Sequence, residues 1–463
     1  SYQKIDEARV NISSQFTLEN NTIGFNIGSY QKEKELIIDP ELIFSTFSGT
    51  VSDNFGFTAC FDNEGSLYSG GIIYGPDFQV TNGSSFAGGA TDIAILKYDS
   101  TGSYLEYATF IGGTGNEAPH SLIVNNKNEL IILGTTGSAD FPVSENAFDT
   151  TFNEGNTFFA YGNNPNGSDI ILTKLNEDGN INASTFIGGD GNDGILKMEN
   201  IGTYTNFLIQ NYGDYMRGDV IVDEDDNIYV ASNTDSEDFP VTSNIGSTYA
   251  GGNSDAVIFS LNPDFSQLRW STYLGGSGDD GGYSIKLDSA NHVYIGGGTQ
   301  SADFPVTSGS LHSIYQGEID GYITKIDQVG DSILQSTYLG TSDYDQAYFI
   351  DIDENQHVFA FGQTRGEYPI TPGAYNNPNS AQFIHKLTNN LDTTLFSTVF
   401  GNGQREPNIS PTAFLANECG NLFLSGWGGR VNFPPNGRSF GTTTGLPITD
   451  DALFPSTDGS DFY

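Results

Sequence analysis

Basic residues are scarce in this chain: 17 Lys and Arg stand against 58 Asp and Glu in 463 residues, a formal charge of 17 − 58 = −41. Such a surface repels phosphate backbones and anionic lipid, which excludes nucleic-acid binding and predicts no membrane insertion. Cysteine is almost absent, with only Cys60 and Cys419, so neither a disulfide scaffold nor a zinc site is expected. No apolar run is long enough to span a bilayer. The five histidines, His120, His292, His312, His357 and His385, form no H-E-x-x-H or H-x-H spacing. A G-x-S-x-G elbow, a Gly-Lys-Ser/Thr phosphate loop and an Asp-box are also missing. With no nucleophile, metal or phosphate motif in view, the chain reads as a non-enzyme.

What is present is a repeated phrase. Ser271-Thr272-Tyr273-Leu274-Gly275-Gly276 is followed by Asp279-Asp280, Val293-Tyr294-Ile295-Gly296, Asp303-Phe304-Pro305-Val306 and Asp320-Gly321-Tyr322-Ile323-Thr324-Lys325. The opening threonine recurs at Thr46, Thr109, Thr185, Thr272, Thr337 and Thr398, at intervals of 63, 76, 87, 65 and 61 residues by subtraction. The aromatic of the Phe-Pro phrase recurs at Phe78, Phe141, Phe239, Phe304, Tyr368 and Phe433. A sustained period of this kind means one supersecondary unit built repeatedly.

Within a unit, short apolar runs flank Asn-, Asp- and Gly-rich turns. Ser121–Val124 and Glu129–Leu133 surround Asn125–Asn128, while Asp169–Leu175 and Ala183–Ile187 surround Asn176–Asn180. Two hairpins per unit, with no helical period between them, are the content of a four-stranded propeller blade. The double glycines are expected to supply backbone freedom between blades, and Pro142, Pro240, Pro305 and Pro369 to stop a strand from extending. The preceding aromatic is expected to fill the gap between blades.

The phrase resembles the SBBP repeat, a bacterial β-propeller repeat family with the pattern Ser-Thr-Tyr-Leu-Gly-Gly, an acidic turn, Asp-x-x-Gly-Asn-x-Tyr and Asp-Phe-Pro-Val. Trp270 to Asp327 fits almost throughout; the first unit has Gln79 in place of the proline, and the fifth has Gly340-Thr341 in place of the double glycine. The sixth departs most, through Cys419-Gly420-Asn421-Leu422-Phe423-Leu424-Ser425-Gly426-Trp427-Gly428-Gly429. That variant resembles one in long secreted proteins of the Bacteroidetes with a gliding-motility-type sorting domain. The resemblance implies an extracellular or cell-surface setting reached by type IX secretion, the route those bacteria use for gliding and adhesion proteins.

The expected fold is therefore all-β: a β-propeller of at least six four-stranded blades, closing at six to eight, preceded by the end of an upstream β-domain. Residues 1–40 lie outside the repeat and alternate at Val10, Ile12, Phe16 and Leu18, then at Ile23, Phe25 and Ile27 across Asn20-Asn21, as terminal hairpins do. The propeller occupies 41–463, with repeats near 42–104, 105–180, 181–267, 268–332, 333–393 and 394–463. Both ends read as cut from a longer protein. Leu42–Phe47 matches a fourth strand and is expected to complete the final blade, which would protect its edge. Cys60 and Cys419 fall in neighbouring blades if six close the ring, but at different points of their units, which leaves a bridge open.

Three site readings remain. Gly188–Asp193 and Gly275–Asp280 read G-G-x-G-x-D, which makes calcium a candidate cofactor at Asp193, Asp279 and Asp280. The competing reading is a plain acidic turn, as for Asp223–Asn227 and Asp351–Asn355. Insertions at 151–167 and 195–217 carry Phe158, Tyr161, Tyr204, Tyr212 and Tyr215, suited either to contact with sugars and proteins or to packing on the blade rim. A third loop, Arg430 to Pro455, brings Arg430 and Arg438 into an acidic chain. The function expected from these features is a non-catalytic structural or adhesive module. Its partners would be other domains or subunits of a surface assembly, glycans, or a prey or host cell surface. The alternative is a carbohydrate-binding or carbohydrate-active propeller with its site at the ring axis. Carboxylates and aromatics at the axis would favour that alternative, and bland Gly and Ser would favour the scaffold.

Overall fold

A computed structural model describes residues 2–5, 8–19, 22–34, 36, 46, 49, 52–196, 198–200, 203–204, 206–417, 420–432, 438–439, 441–449, 452 and 454–463. Leu42–Phe47 apart from Thr46, Cys419 and Phe433 lie outside them, so the closing strand and the cysteine bridge do too. The chain divides into two compact units, Ser1–Phe47 with Thr101–Tyr104, and the remainder. The first unit contains two antiparallel hairpins, Tyr2–Ile5 with Ala8–Asn11 and Ser14–Glu19 with Thr22–Ile27. In the second hairpin Phe16 pairs with Phe25 and Leu18 with Ile23 in backbone register.

The second unit is a β-propeller. Blade 1 is formed by Asn54–Phe61, Leu67–Ile73, Asp92–Tyr98 and Leu105–Ile111, and blade 2 by Glu117–Val124, Leu130–Thr136, Asp169–Leu175 and Ile181–Ile187. Blade 3 comprises Asp219–Val222, Ile228–Thr234, Asp255–Leu261 and Leu268–Leu274. Blade 4 comprises Asp280–Leu287, Val293–Thr299, Asp320–Ile326 and Ile333–Leu339. Blade 5 comprises Asp345–Ile352, Val358–Thr364, Gln382–Leu387 and Thr394–Phe400. Blade 6 has Ser410–Ala416 and Leu422–Trp427, and Tyr463 exchanges two backbone hydrogen bonds with Gly426. All pairings within blades 1 to 5 are antiparallel between consecutive strands, and the first strands of neighbouring blades touch in chain order.

The sheets are offset from the sequence units. A sheet ends at the Thr-Tyr-Leu phrase and the next starts after Gly-Gly, so the phrase is the outer strand of one blade and not the opening of the next. The glycines are needed for space. Gly112, Gly188 and Gly275 are absent from the left-handed backbone region. A Cβ on Gly112 would lie 2.6 Å from Asp92 Cγ and 2.7 Å from Glu117 Oε2, and one on Gly188 would lie 2.7 Å from Asp193 Oδ2 and 2.9 Å from Asp169 Oδ1. The freedom expected of them is thus corrected to room for buried carboxylates.

Apolar side chains from paired blades merge between the sheets. Ile131, Leu133, Ile170 and Leu172 of blade 2 pack with Val230, Phe239, Val257 and Phe259 of blade 3. Equivalent layers join blades 1 and 2, 3 and 4, 4 and 5, and 5 and 6. The Phe-Pro aromatics sit in these layers, with Phe304 4.3 Å from Tyr322 and Tyr368 stacked 4.2 Å from Phe383, centroid to centroid. No helix among the described residues is long and apolar enough to cross a membrane.

Candidate functional site

The repeated acidic residues divide between two structural duties. At the first hairpin turn, Asp223 accepts from the N–H groups of Asp225 and Asn227 at 3.0 and 2.8 Å and from Tyr229 Oη at 3.1 Å. Asp288 and Asp353 accept in the same way, and Lys325 and Lys386 from the third strand approach them at 3.0 and 2.7 Å. This accounts for the Asp, Tyr and Lys of the phrase as one clamp across three strands. Hydrogen bonds to the charged form and the lysine hold Asp288 and Asp353 below the usual carboxylate range, although burial opposes them.

At the other end, carboxyl groups meet across the blade interfaces around the Gly-Gly turns: Asp92 with Glu117, Asp169 with Asp193, Asp255 with Asp280, and Asp320 with Asp345. Asp193 accepts from Gly189 N at 2.8 Å, from Ser236 Oγ at 2.9 Å and from Thr234 Oγ1. Asp280 accepts from Gly276 N and Ser301 Oγ, each at 2.7 Å. Asp279 accepts from Asn253 N at 2.8 Å and Phe207 N at 3.2 Å. Burial raises Asp280 to about 7 and Asp255 to about 8, and pushes Asp193 well above its ordinary value.

As calcium ligands, Asp193 and the Asp279–Asp280 pair stand at different interfaces, and no group of three or more Asp, Glu, His or Cys suited to a metal occurs among the described residues. Asp280 Oδ1 is buried without a hydrogen-bond partner, with Asp255 and Asp279 as neighbouring carboxylates. That donor set falls short of the six to eight oxygens calcium takes.

The two insertions occupy the ring axis. Leu196, Leu208, Ile209, Tyr215 and Met216, with Tyr161 from the earlier insertion, pack against Ala118, Tyr283 and Tyr348 of the inner strands, Ile72 of the second strand of blade 1 and Tyr344 just before blade 5. Their polar groups are matched. Gln346 Nε2 donates to Leu208 O at 2.9 Å, and Asn211 Nδ2 donates to Tyr348 Oη at 3.0 Å and Gln363 Oε1 at 3.1 Å. Tyr348 Oη donates to Asp214 Oδ2 at 3.0 Å, and Arg217 Nε donates to Asp214 Oδ1 at 2.8 Å while its guanidinium lies 4.2 Å above the Tyr348 ring. Arg217 Nη2 also reaches Ser410 Oγ and Pro411 O of blade 6 at 3.3 and 3.2 Å. A buried ion pair with its remaining donors and acceptors satisfied escapes most of the desolvation cost of an unpaired charge.

This corrects the expectation of outward contact loops. Phe158, Tyr161 and Tyr215 are buried, and Tyr212 is half-buried, edge-on to Trp427 at 5.7 Å. Tyr204 lies in the short strand Thr203–Tyr204, and its side chain is outside the described residues. The loops turn inward because the axis would otherwise leave Tyr283, Tyr344 and Tyr348 wet, and removing that apolar surface from water is favourable. The exposed aromatic is Phe207, 53% accessible, with the Arg438 guanidinium 4.5 Å over its ring.

Around Phe207 the axial mouth is polar. Arg365 lies 4.8 Å over the Tyr344 ring, donating from Nε to Glu406 Oε2 at 3.3 Å and from Nη1 to Gln210 Oε1 at 3.1 Å. Arg405 approaches Glu367 at 3.8 Å and donates to Asn379 Oδ1 at 2.9 Å. Arg438 N and Ser439 N donate to Gln210 O at 2.7 and 2.9 Å, and Asn432 Oδ1 accepts from Tyr212 N at 3.0 Å. Sequence reasoning missed Arg365, Glu406, Gln346 and Gln363. A signal existed: Gln346 and Gln363 stand where blade 4 has Gly281 and Gly298, a large amide replacing glycine at the start of one strand and the end of the next.

Residues 1–41 match a domain of unknown function, DUF7948, and residues 269–305 match the SBBP beta-propeller repeat. No curated protein matches the chain. Among solved structures, a mutant of NanB sialidase from Streptococcus pneumoniae aligns at 9% identity over 95% of this chain and 73% of its own, with a TM-score of 0.43. A gluconolactonase from Xanthomonas campestris aligns at 10% identity over 78% and 86%, with a TM-score of 0.31. A GH43_1 enzyme from Xanthomonas citri complexed with xylose aligns at 11% identity over 68% and 85%, with a TM-score of 0.30. At these identities the likeness is one of architecture and carries no activity across. The reading of the chain as a non-enzyme is nonetheless corrected, because a propeller fold by itself gives no ground for excluding catalysis.

Proposed function

We propose that this chain is a carbohydrate-binding or carbohydrate-active propeller whose site is the axial mouth. The supporting observation is what stands at the mouth: the exposed Phe207 and the half-buried Tyr212 and Trp427 with Glu406 and Arg365, not bland Gly and Ser. Aromatic faces suit sugar rings, and fixed carboxylate and guanidinium groups suit hydroxyl and acid substituents. We place this activity outside the cell, where the SBBP resemblance and the acidic surface fit a secreted or surface-displayed protein. Adhesion to cells or polysaccharide then follows from the sugar site, and the insertions serve to build that site.

A panel of neutral and acidic oligosaccharides tests the reading by calorimetric binding and by release of reducing ends. Tyr212→Ala and Glu406→Gln are expected to weaken binding or turnover at least tenfold, while Ile314→Ala, on an exposed loop of blade 4, leaves both unchanged. Binding that survives both axial substitutions, or an absence of binding and turnover across the panel, would overturn it.

A further inference from the structure

Blade 2 departs from its sisters at the clamp between the first hairpin turn and the third strand. In blades 4 and 5 the turn aspartate, Asp288 or Asp353, faces Lys325 or Lys386, and four positions on stands His292 or His357. Blade 2 keeps the lysine as Lys174 but has Asn125 for the aspartate and Glu129 for the histidine. The backbone frame is unchanged. Asn125 N donates to Glu129 O as Asp288 N donates to His292 O, and Lys174 lies opposite Ile131 as Lys325 lies opposite Tyr294. The exchange gathers an amine, a carboxamide and a carboxyl group in one place, with Asn125 and Lys174 both buried.

Asn125 Oδ1 accepts from the backbone N–H groups of Lys127 and Glu129 at 3.0 and 2.9 Å, which turns Nδ2 toward Glu129, to whose Oε2 it donates at 2.9 Å. The same Oε2 lies 3.3 Å from Lys174 Nζ. Lys174 Nζ is held by a further bond to Pro263 O at 2.9 Å, with the Phe265 ring 5.7 Å away. In blades 4 and 5 the equivalent lysines approach to 3.0 and 2.7 Å of the carboxylate oxygen whose place Asn125 Nδ2 takes, so the lysine at this position reaches the turn side chain. A simple ion pair needs only Lys174 and Glu129. A carboxamide whose oxygen faces two N–H donors, and whose nitrogen shares one carboxyl oxygen with an amine, is arranged for acyl transfer. Burial opposes ionisation of Glu129, yet the donors from Asn125 and Lys174 hold it below the usual carboxylate range, which leaves it available as the base.

We propose that Lys174 and Asn125 join in an intramolecular isopeptide bond, formed by the folded chain itself with Glu129 as the proton carrier. Glu129 Oε2 takes a proton from the Lys174 ammonium, and the freed amine attacks Asn125 Cγ. The negative charge that develops on Oδ1 is met by the N–H groups of Lys127 and Glu129. The Nζ–Cγ bond forms and the Cγ–Nδ2 bond breaks. Nζ gives up two protons: one reaches Nδ2, which leaves as ammonia, and the other stays on Glu129. No oxidant, metal or second substrate enters the balance. An open cleft lined by Lys127, Glu129, Asn176, Glu177 and Asp178 gives the ammonia a route to solvent. The step occurs once per molecule, so a slow reaction suffices. Its product closes 174 − 125 = 49 residues, including the insertion at 151–167, into a covalent loop. Such a loop restricts the unfolded chain as a disulfide does, in a protein with only two cysteines.

Mass spectrometry of the whole chain, kept folded at neutral pH and then denatured, tests the bond. The intact mass is expected to fall short of the sequence mass by one ammonia, and a proteolytic digest to yield one branched peptide joining Asn125 to Lys174. Glu129→Gln, which removes the proton carrier, and Lys174→Arg, which keeps the positive charge, are each expected to restore the full mass, with circular dichroism reporting the fold. A wild-type chain at full mass, with Asn125 and Lys174 recovered in separate unmodified peptides, overturns the inference. So does an ammonia loss that maps elsewhere, such as a succinimide at Asn82-Gly83. A branched peptide that forms equally in Glu129→Gln overturns the role given to Glu129. The wild-type peptide map decides the bond by itself, so a variant that fails to fold does not weaken the test.

Discussion

Each interblade carboxyl pair puts two acids where water cannot screen them. Asp92 is raised to about 6 and Glu117 to about 7, in both cases first by burial and only partly offset by hydrogen bonds. Asp92 Oδ1 is left without a partner, as are Oδ1 of Asp169, Asp255 and Asp320 at the equivalent positions. The fifth interface shows what these positions require. There Ala381 stands at the strand position of Asp320, and Asn408 takes over as acceptor, receiving Asn402 N at 2.9 Å as Asp280 receives Gly276 N. A neutral amide performs the same task, so the interface calls for hydrogen bonding and not for charge. The sign of the pH dependence follows. A carboxyl group raised above its unfolded value near 4 contributes stability that is fully present below pH 4 and is lost as pH rises through about 6 to 7. The melting temperature is expected to fall between pH 5 and pH 8, and Glu117→Gln to flatten part of that slope while raising stability at pH 8. A variant with an unchanged slope would place the titrating groups elsewhere.

At the scale of the strand and turn, the phrase reads as a set of connections. The third-strand lysine, the turn aspartate and the second-strand tyrosine tie the hairpins of a blade together, while the serine before Asp-Phe-Pro donates to the acid that opens the same blade. Tyr273 Oη and Tyr338 Oη each donate at 2.8 Å to the carbonyl of that serine, Ser236 and Ser301, which fastens the outer strand to its own blade. The link between blades is closest at Gly275, where an added Cβ would press on Asp255 Oδ1 and lie 3.0 Å from Asp280 Oδ2. Gly275→Ala is expected to destabilise the propeller by about 2–3 kcal/mol, as overpacking in a closed core does. Gly56→Ala is the control: nothing lies within 4 Å of its added Cβ, and its backbone is not left-handed, so its effect should stay within about 1 kcal/mol. Denaturant midpoints for the two variants give the comparison, and equal effects would contradict the space argument.

For the propeller as a whole, the axis is a second core, filled by chain that lies outside the four-strand repeat. Residues 206–217 draw on blades 1, 2, 4, 5 and 6 through Ile72, Ala118, Tyr283, Tyr348 and Ser410, and Asp279 at the start of blade 4 anchors Phe207 N. An insertion that merely capped a blade would tolerate truncation, whereas one that fills the axis would not. Leu208→Ala, at a fully buried side chain, is expected to cost about 2–4 kcal/mol and to weaken any ligand held at the mouth, because Gln210 and Phe207 are placed by the same segment. Unfolding and binding measured on one preparation check both effects. A neutral result in each would show that this segment leaves the axis in solution.

The repeat, the all-β class, the hairpins and their turns were legible in the sequence, because strand alternation and Asp/Asn turn chemistry are local and each was written out several times. Gln346, Gln363 and Arg365 were not read as site residues, although they depart from their sister blades, because a single departure has no meaning until its neighbours in space are known. The phase of the blades depended on which strand lies innermost, which a repeating string leaves undetermined. The placement of Tyr161, Tyr212 and Tyr215 was decided only in three dimensions: a polar, aromatic insertion reads alike whether it faces solvent or an axial cavity. The inner strands of the blades and the segment at 206–217 contribute to one surface only after the ring has formed, so local order came from the sequence itself and the axial site from the closure of distant elements around it.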